Sequence, residues 1–82
     1  MVKILYFGRL SERVGTQEEH IDLPDNIRTI TELKAWLNTY HQLDGILDHD
    51  TVKTMIDQSL NHKNSSIIGA VEIGFLPPVG GG

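Results

Sequence analysis

The residues with the clearest potential for chemistry are the last eight of the sequence, FLPPVGGG, residues 75 to 82. Glycine usually serves a turn or the end of a helix, and no residues follow here to be turned or capped. Pro77 and Pro78 stiffen the base of this segment, while glycines lack a Cβ and can thread a narrow channel. Fully extended, residues 77 to 82 span roughly 20 Å. The pattern predicts a tail that delivers the α-carboxylate of Gly82 into another protein's active site.

That carboxylate needs activation before it can react as an acyl group. With a pKa of about 3.5, as is usual for an α-carboxyl group, it is ionised at neutral pH, and it is a poor electrophile until one oxygen becomes a leaving group. Adenylation by a partner that carries ATP is the usual solution. The unhindered glycyl group is then open to attack by sulfur or by an amine. The residues alone leave both outcomes open, a sulfur carrier and a protein modifier.

Composition excludes several other kinds of chemistry. The chain has 82 residues, which allows one small domain with a modest core. Its 7 Lys and Arg against 11 Asp and Glu leave a net charge of −4, which argues against nonspecific binding to nucleic acid or anionic lipid and favours a basic protein partner. It has no cysteine, so any sulfur must come from elsewhere.

The start of the sequence shows no targeting signal. MVKILYF carries one basic residue and no small-residue cleavage site, and no apolar run approaches the length of a membrane span. We therefore expect the protein in the cytoplasm.

Other candidate sites are weak. No two histidines share helical i, i+4 spacing, and three nearby aspartates lack the pattern of a calcium loop. The glycines outside the tail form no phosphate-binding motif such as GxxxxGK, and are typical of turns and close packing. We expect no metal and no cofactor bound by this chain. The histidines and aspartates are His20, His41, His49, His62, Asp44, Asp48 and Asp50.

Periodicity predicts two strands, a helix and two further strands. VKILYF at residues 2 to 7 is typical of a central strand, and EEHIDL alternates as a hairpin partner would, after the turn-like GRLSERVGTQ. KTMIDQSL predicts a third strand and AVEIGFL a fourth, joined by the loop NHKNSS. QLDGILDHDTV permits a short helical turn. In the last strand, alternation places Val71, Ile73 and Phe75 on one face and Glu72, Gly74 and Leu76 on the other.

The helix is predicted over TITELKAWLNTYH. Thr29 and Glu32 have capping-box spacing, so Thr29 is the expected N-cap. The apolar stripe behind it comprises Ile30, Leu33, Trp36, Leu37 and Tyr40. This order of elements predicts an α+β, β-grasp (ubiquitin-like) fold, with a mixed sheet of four to five strands covered on one face by one main helix. We expect residues 1–76 to form the domain and residues 77–82 a flexible tail.

Two apolar residues are predicted to face away from this helix. Phe7 lies opposite Val2, Ile4 and Tyr6 by strand alternation, and Leu76 lies on the Glu72 face. If the helix covers the other face, both are partly exposed and mark a protein interface. The alternative is that they complete a small core.

These residues resemble a known family. MVKILYFGRLSERVGT, IDQSL and above all EIGFLPPVGGG are similar to the MoaD/ThiS family of ubiquitin-like sulfur carriers, in particular to small subunits of molybdopterin synthase. The resemblance spans nearly the whole chain. The family ending is Phe-Phe-Pro-Pro-Val-x-Gly-Gly, so Gly81 and Gly82 match the required pair and Gly80 falls on a variable position.

The resemblance implies a function and its partners. Gly82 would be adenylated by an E1-like enzyme that uses ATP, receive sulfur from a donor protein and become a thiocarboxylate. The tail would enter the large synthase subunit, within a heterotetramer, and give its sulfur to cyclic pyranopterin monophosphate. Partner-binding positions carried across from the family are Phe7, Leu60, Leu76, Pro77, Pro78 and Val79, with catalytic residues on the large subunit.

Two segments depart from the family pattern, and rival functions stay open. IDQSL stands where a Val-Asn-Gln run is typical, and SSIIGAVEI replaces an Asp-Gly-Asp turn. The rivals are a sulfur carrier for thiamine or for tRNA thiolation, a ubiquitin-like modifier that Gly82 joins to a lysine, and a plain interaction module.

Overall fold

The computed structural model describes residues 1–61 and 63–78. His62, Val79, Gly80, Gly81 and Gly82 lie outside the described residues. The elements, in chain order, are β1 (Val2–Tyr6), α1 (Arg9–Val14), β2 (Glu18–Ile21), α2 (Ile30–Tyr40), a 3₁₀ turn (Ile46–Asp48), β3 (Lys53–Ile56), β4 (Ser59–Asn61) and β5 (Glu72–Leu76).

The strands form one mixed sheet in the order β2-β1-β5-β3-β4. β1 and β5 run parallel at its centre, with Lys3 opposite Glu72 and Tyr6 opposite Phe75. β2 is antiparallel to β1, and β3 is antiparallel to both β5 and β4. With α2 as the main helix on one face, this is the β-grasp fold that the sequence predicts.

The core lies between the sheet and α2. β1 alternates buried and half-buried positions, so Ile4 and Tyr6 face the helix while Lys3 and Leu5 face away. Leu33 and Leu37 of α2 have no exposed surface, nor do Ile73 and Phe75 of β5. In β5 the predicted inward face is therefore confirmed for two of its three residues, because Val71 precedes the strand and is 70% exposed.

The helix α2 begins as its capping box predicts. The Thr29 hydroxyl accepts a hydrogen bond from the Glu32 backbone N–H at 3.2 Å, and the Glu32 carboxylate accepts from the Thr29 N–H at 3.1 Å. The predicted stripe was wrong at one position. Tyr40 is 59% exposed, because the helix turns it away from the sheet next to the half-buried Trp36.

Two connections differ from the prediction. The turn-like residues 8 to 17 contain the helix α1, whose buried Leu10 packs into the core and which ends at Gly15 with a φ of 98°. The single strand predicted for KTMIDQSL is instead a hairpin of β3 and β4. Asp57 and Gln58 form its two-residue turn with φ angles of 48° and 73°. Asp57 Oδ1 also accepts hydrogen bonds from the backbone N–H groups of Val71 and Glu72, each at 2.9 Å, which fixes the start of β5.

A partly buried group of hydrogen bonds joins the first two strands to the end of α2. Tyr6 donates from its hydroxyl to Glu19 Oε2 at 2.7 Å, and His41 Nε2 lies 2.6 Å from the same oxygen. Tyr6 is only 2% exposed. Burial, and next the hydrogen bond to the Glu19 carboxylate, raise the pKa of Tyr6 far above its ordinary value of 10.0.

The raised pKa of Tyr6 predicts that the protein loses stability in alkaline solution. Above pH 10 the unfolded chain releases the Tyr6 proton while the folded chain keeps it, so the free energy of unfolding falls as pH rises. We expect Tyr6 to contribute a slope of about 1.4 kcal/mol per pH unit there, measured by urea denaturation. The Tyr6→Phe variant should lack this component, and equal slopes in both proteins would contradict the prediction.

Candidate functional site

The sheet face opposite α2 carries an apolar surface. Alternation along β1, β3, β4 and β5 turns five apolar side chains to this face, which we call the open-face patch: Leu5, Phe7, Met55, Leu60 and Leu76. Phe7 is 40% and Leu60 59% exposed, while the other three are half-buried. A contiguous apolar face without a covering element among the described residues has the character of a protein interface.

The register brings the patch together around a glycine. Gly74 pairs with Leu5 on one side and Met55 on the other, and Met55 pairs in turn with Leu60. A Cβ at Gly74 would lie 3.1 Å from Cε2 of Phe7. The Phe7 ring therefore rests directly over the backbone of β5, in space that only glycine leaves open.

We expect Gly74→Ala to displace the Phe7 ring. The added methyl is too close to the ring, and because Phe7 is partly exposed the ring can swing outward, so we expect a stability cost at the lower end of the range of about 1 to 3 kcal/mol for an inserted methyl. NMR spectra of the variant and the wild type would compare the resonances of the Phe7 ring. A binding assay would compare their affinities for a protein that binds this face. Unchanged ring resonances together with unchanged affinity would show that Gly74 does not position Phe7.

The base of the tail is fixed at one end of this patch. Phe75 has no exposed surface, and its ring stacks on Tyr6 with centroids 6.1 Å apart. The Phe75 carbonyl accepts a hydrogen bond from the Phe7 backbone N–H at 3.1 Å. The chain therefore leaves the sheet from a position that the core determines.

Pro77 continues this path against a second glycine. Gly8 has a φ of 53°, and a Cβ there would lie 3.0 Å from Cγ of Pro77. Both its conformation and this contact require glycine. Gly8 thus lets Pro77 pack beside β1, and the fixed φ of proline sets the direction in which the chain continues.

Apolar and charged groups meet beside the two prolines. A groove of about 400 Å³ is formed by Leu60, Leu76, Pro77 and Pro78 with a polar border of Asp50, Thr51 and Lys53. On the same face of the sheet, Lys3 Nζ lies 3.7 Å from Glu72 Oε1, and the two form an ion pair between neighbouring strands. An apolar centre with a charged border is the usual arrangement of a specific protein interface.

The structure thus brings Phe7, Leu60 and Leu76 to one face, with Pro77 and Pro78 at its end. Val79, Gly80, Gly81 and Gly82, the predicted reactive tail, lie outside the described residues. β5 ends at Leu76, and the division into a domain of residues 1–76 and a tail of residues 77–82 stays a prediction, as do the roles of these residues.

Sequence reasoning missed three contributors to the site. Met55 belongs to the patch, and Gly8 and Gly74 shape it, although the prediction assigned these glycines only to turns and packing. A glycine within a strand-like run was the available signal for Gly74, since it often marks close approach of another group.

Among the described residues, the remaining candidates do not come together at a second site. The residues of the described ranges contain no group of three or more His, Asp or Glu side chains placed to hold a metal ion. His41 lies against Glu19 in a partly buried contact that was not predicted, whereas His20 and His49 are exposed. Among the described helices, none has the length and hydropathy needed to cross a membrane.

Comparisons with known proteins agree with this architecture. A curated relative from Caenorhabditis elegans, the molybdopterin synthase sulfur carrier subunit, is 29% identical over 99% of this chain and 96% of its own length. The crystal structure of SAMP1 from Haloferax volcanii has a TM-score of 0.77 at 21% identity, over 99% of this chain and 98% of that one.

A further structure, described as a putative molybdopterin converting factor, subunit 1, from Pyrococcus furiosus, has a TM-score of 0.66 at 22% identity, over 95% of this chain and 97% of that one. At these identities the two solved structures establish the fold alone. The ThiS family matches residues 4–82, nearly the whole sequence. The chain therefore belongs to the ThiS family.

Proposed function

We propose that this protein is the sulfur-carrying small subunit of a molybdopterin synthase. The observation that carries the proposal is the continuity of the open-face patch with the tail base at Leu76, Pro77 and Pro78. One partner can bind the face and receive the tail that follows in a single orientation. The name of the nematode relative supports molybdopterin as the product rather than thiamine or a thiolated tRNA base.

The proposed chemistry takes place at the α-carboxylate of Gly82. One carboxylate oxygen attacks the α-phosphorus of ATP on an E1-like enzyme, and pyrophosphate leaves. A sulfur nucleophile at the oxidation level of hydrosulfide, supplied by a donor protein, attacks the acyl carbon and displaces AMP. The product is a thiocarboxylate. In the large subunit its sulfur attacks a side-chain carbon of cyclic pyranopterin monophosphate and displaces an oxygen substituent, and water then hydrolyses the resulting thioester, which leaves the sulfur on the pterin and restores the carboxylate of Gly82.

The chain's own contribution is delivery rather than catalysis. It has no cysteine to hold sulfur as a thiol or persulfide, so the transferable sulfur resides on the terminal acyl group. The prolines limit the directions the tail can take, which lowers the entropy lost when it enters a channel. The large subunit, in a heterotetramer, supplies the catalytic residues, and we place the reaction in the cytoplasm.

Intact-protein mass spectrometry tests this function. Protein isolated from cells that contain the activating enzyme should carry sulfur in place of one oxygen at Gly82. Conjugates to lysine without any thiocarboxylate would instead establish a modifier. Copurification with a large synthase subunit would assign molybdopterin as the product, whereas a thiocarboxylate without such a partner would favour thiamine or tRNA thiolation.

A further inference from the structure

The outward side of α2 carries an aromatic pair to which the proposed function assigns no role. Trp36 and Tyr40 stack with ring centroids 4.7 Å apart and an angle of 13° between the planes. The His41 ring packs edge-on against Tyr40 at 4.8 Å. Tyr40 nevertheless stays 59% exposed, so this pair presents a flat aromatic surface to solvent.

The pair borders a groove of about 500 Å³ along α2. Among the described residues that line this groove, Glu32 is the only charged one. Asn26, Ile27, Ala35 and Thr39 complete the lining. Because Glu32, Trp36 and Tyr40 are spaced at i, i+4 and i+8, the carboxylate and the two rings follow one side of the helix.

The Glu32 carboxylate is held in place and ionised. Its Oε1 accepts the backbone N–H groups of Arg28 at 2.8 Å and Thr29 at 3.1 Å. The bond from Arg28 is the main reason that the pKa of Glu32 lies below its ordinary value. The Arg28 guanidinium donates to the Asp25 carbonyl at 3.0 Å, and its charge also contributes to the lowered pKa of Glu32.

We propose that this groove is a docking site for a protein segment that presents an arginine side chain. A guanidinium is planar and always charged, so it stacks on aromatic faces and at the same time donates to a carboxylate. The stacked rings and the aligned Glu32 match both features. The net charge of −4 also favours encounter with a basic segment.

The position of the groove allows simultaneous binding at both surfaces. α2 covers the core face of the sheet, while the open-face patch and the tail base occupy the other face. An arginine-bearing partner on α2 therefore does not compete with a protein that takes up the tail. The groove would serve partners that must hold this protein while its tail is engaged elsewhere.

Trp36 is the sole tryptophan of the chain, so its fluorescence reports binding directly. The probe is the peptide acetyl-Gly-Arg-Gly-Arg-Gly-amide, and its control is the same peptide with citrulline for arginine, which keeps the shape and removes the charge. We expect the arginine peptide to change the Trp36 fluorescence in a saturable way and the citrulline peptide to leave it unchanged. Raising salt from about 50 to about 500 mM should weaken it, since exposed charges are screened.

Two variants locate the binding site. Tyr40→Ala removes half of the aromatic surface, and we expect affinity to fall about two- to five-fold. Glu32→Gln removes the charge while glutamine keeps the capping box, and should reduce both affinity and salt dependence. Glu12→Gln, an exposed glutamate of α1, is the matched control and should bind as the wild type does.

Several results would overturn the proposal. The citrulline peptide could bind as tightly as the arginine peptide, or Glu12→Gln could reduce affinity as much as Glu32→Gln does. The Trp36 fluorescence could also change linearly with peptide concentration and never saturate. A change in Trp36 fluorescence on dilution of the protein alone would show that a second copy occupies the groove. Peptide binding does not involve Gly82, so the chain lacking Gly82 should bind the peptide normally, and this proposal can fail or succeed independently of sulfur transfer.

Discussion

Deletion of Gly82 is expected to lower sulfur transfer by more than about a hundredfold while leaving the fold intact. Removing one residue withdraws the terminal carboxylate by about 3.3 Å, and displacement of a reacting group by as little as about 1 Å can cost a hundredfold in rate. The rate of thiocarboxylate formation by the activating enzyme measures this effect. The urea midpoint should stay unchanged, because the deleted residue follows a core that is complete by Phe75.

Gly80→Ala is the matched control for this deletion. It changes one tail glycine but keeps the length, at a position that is variable in the family pattern. We expect it to retain most of the transfer activity. Wild-type transfer by the deletion variant would contradict the proposed role of Gly82, whereas equal loss in both variants would indicate that the width of the channel, more than the reach of the tail, limits transfer.

The second large effect concerns partner binding by the open-face patch. Phe7→Ala or Leu76→Ala should weaken the complex with the large subunit by about 1 to 3 kcal/mol, which is the range for truncated apolar anchors at the centre of an interface. Isothermal titration with the purified partner gives this number. Urea denaturation of each variant separates the loss of binding from any loss of stability.

Ile68→Ala provides the control for surface apolarity. Ile68 is 74% exposed and borders a groove with Met1 and Leu23, at the end of the sheet away from Pro77. We expect normal partner affinity for this variant. If Phe7→Ala lowered only the free energy of unfolding and the folded variant bound normally, Phe7 would serve to complete the small core and not to bind a partner.

The parts of the fold with strong local signals were predictable. α2 combines a capping box with buried residues at helical spacing, and both are properties of neighbouring residues. α1 escaped prediction because it has six residues and its N-cap, Gly8, offers no side chain to bond the first turn. Its stability comes from Leu10 in the core, which is a tertiary contact.

The hairpin explains why the patch was only partly predicted. In one continuous strand, positions 55 and 60 would point to opposite faces, since they differ by an odd number. The turn at Asp57 and Gln58 reverses the chain and puts Met55 and Leu60 on the same face as a direct pair. This turn lacks the usual Asn-Gly or Asp-Gly signal, and its Asp57 is held by backbone groups 14 and 15 positions away along the chain.

The parallel pairing of β1 with β5 determines when the tail can be presented. Lys3 and Glu72 are partners across 72 − 3 = 69 positions, so the centre of the sheet closes only after the chain has been synthesised as far as β5. Such distant pairing has a high contact order and is reached late in folding. A ribosome-bound chain that lacks β5 therefore has neither a closed sheet nor an anchored tail. Correct direction of the tail base thus depends on the last strand taking its place beside the first, so the topology couples presentation of the tail to closure of the sheet.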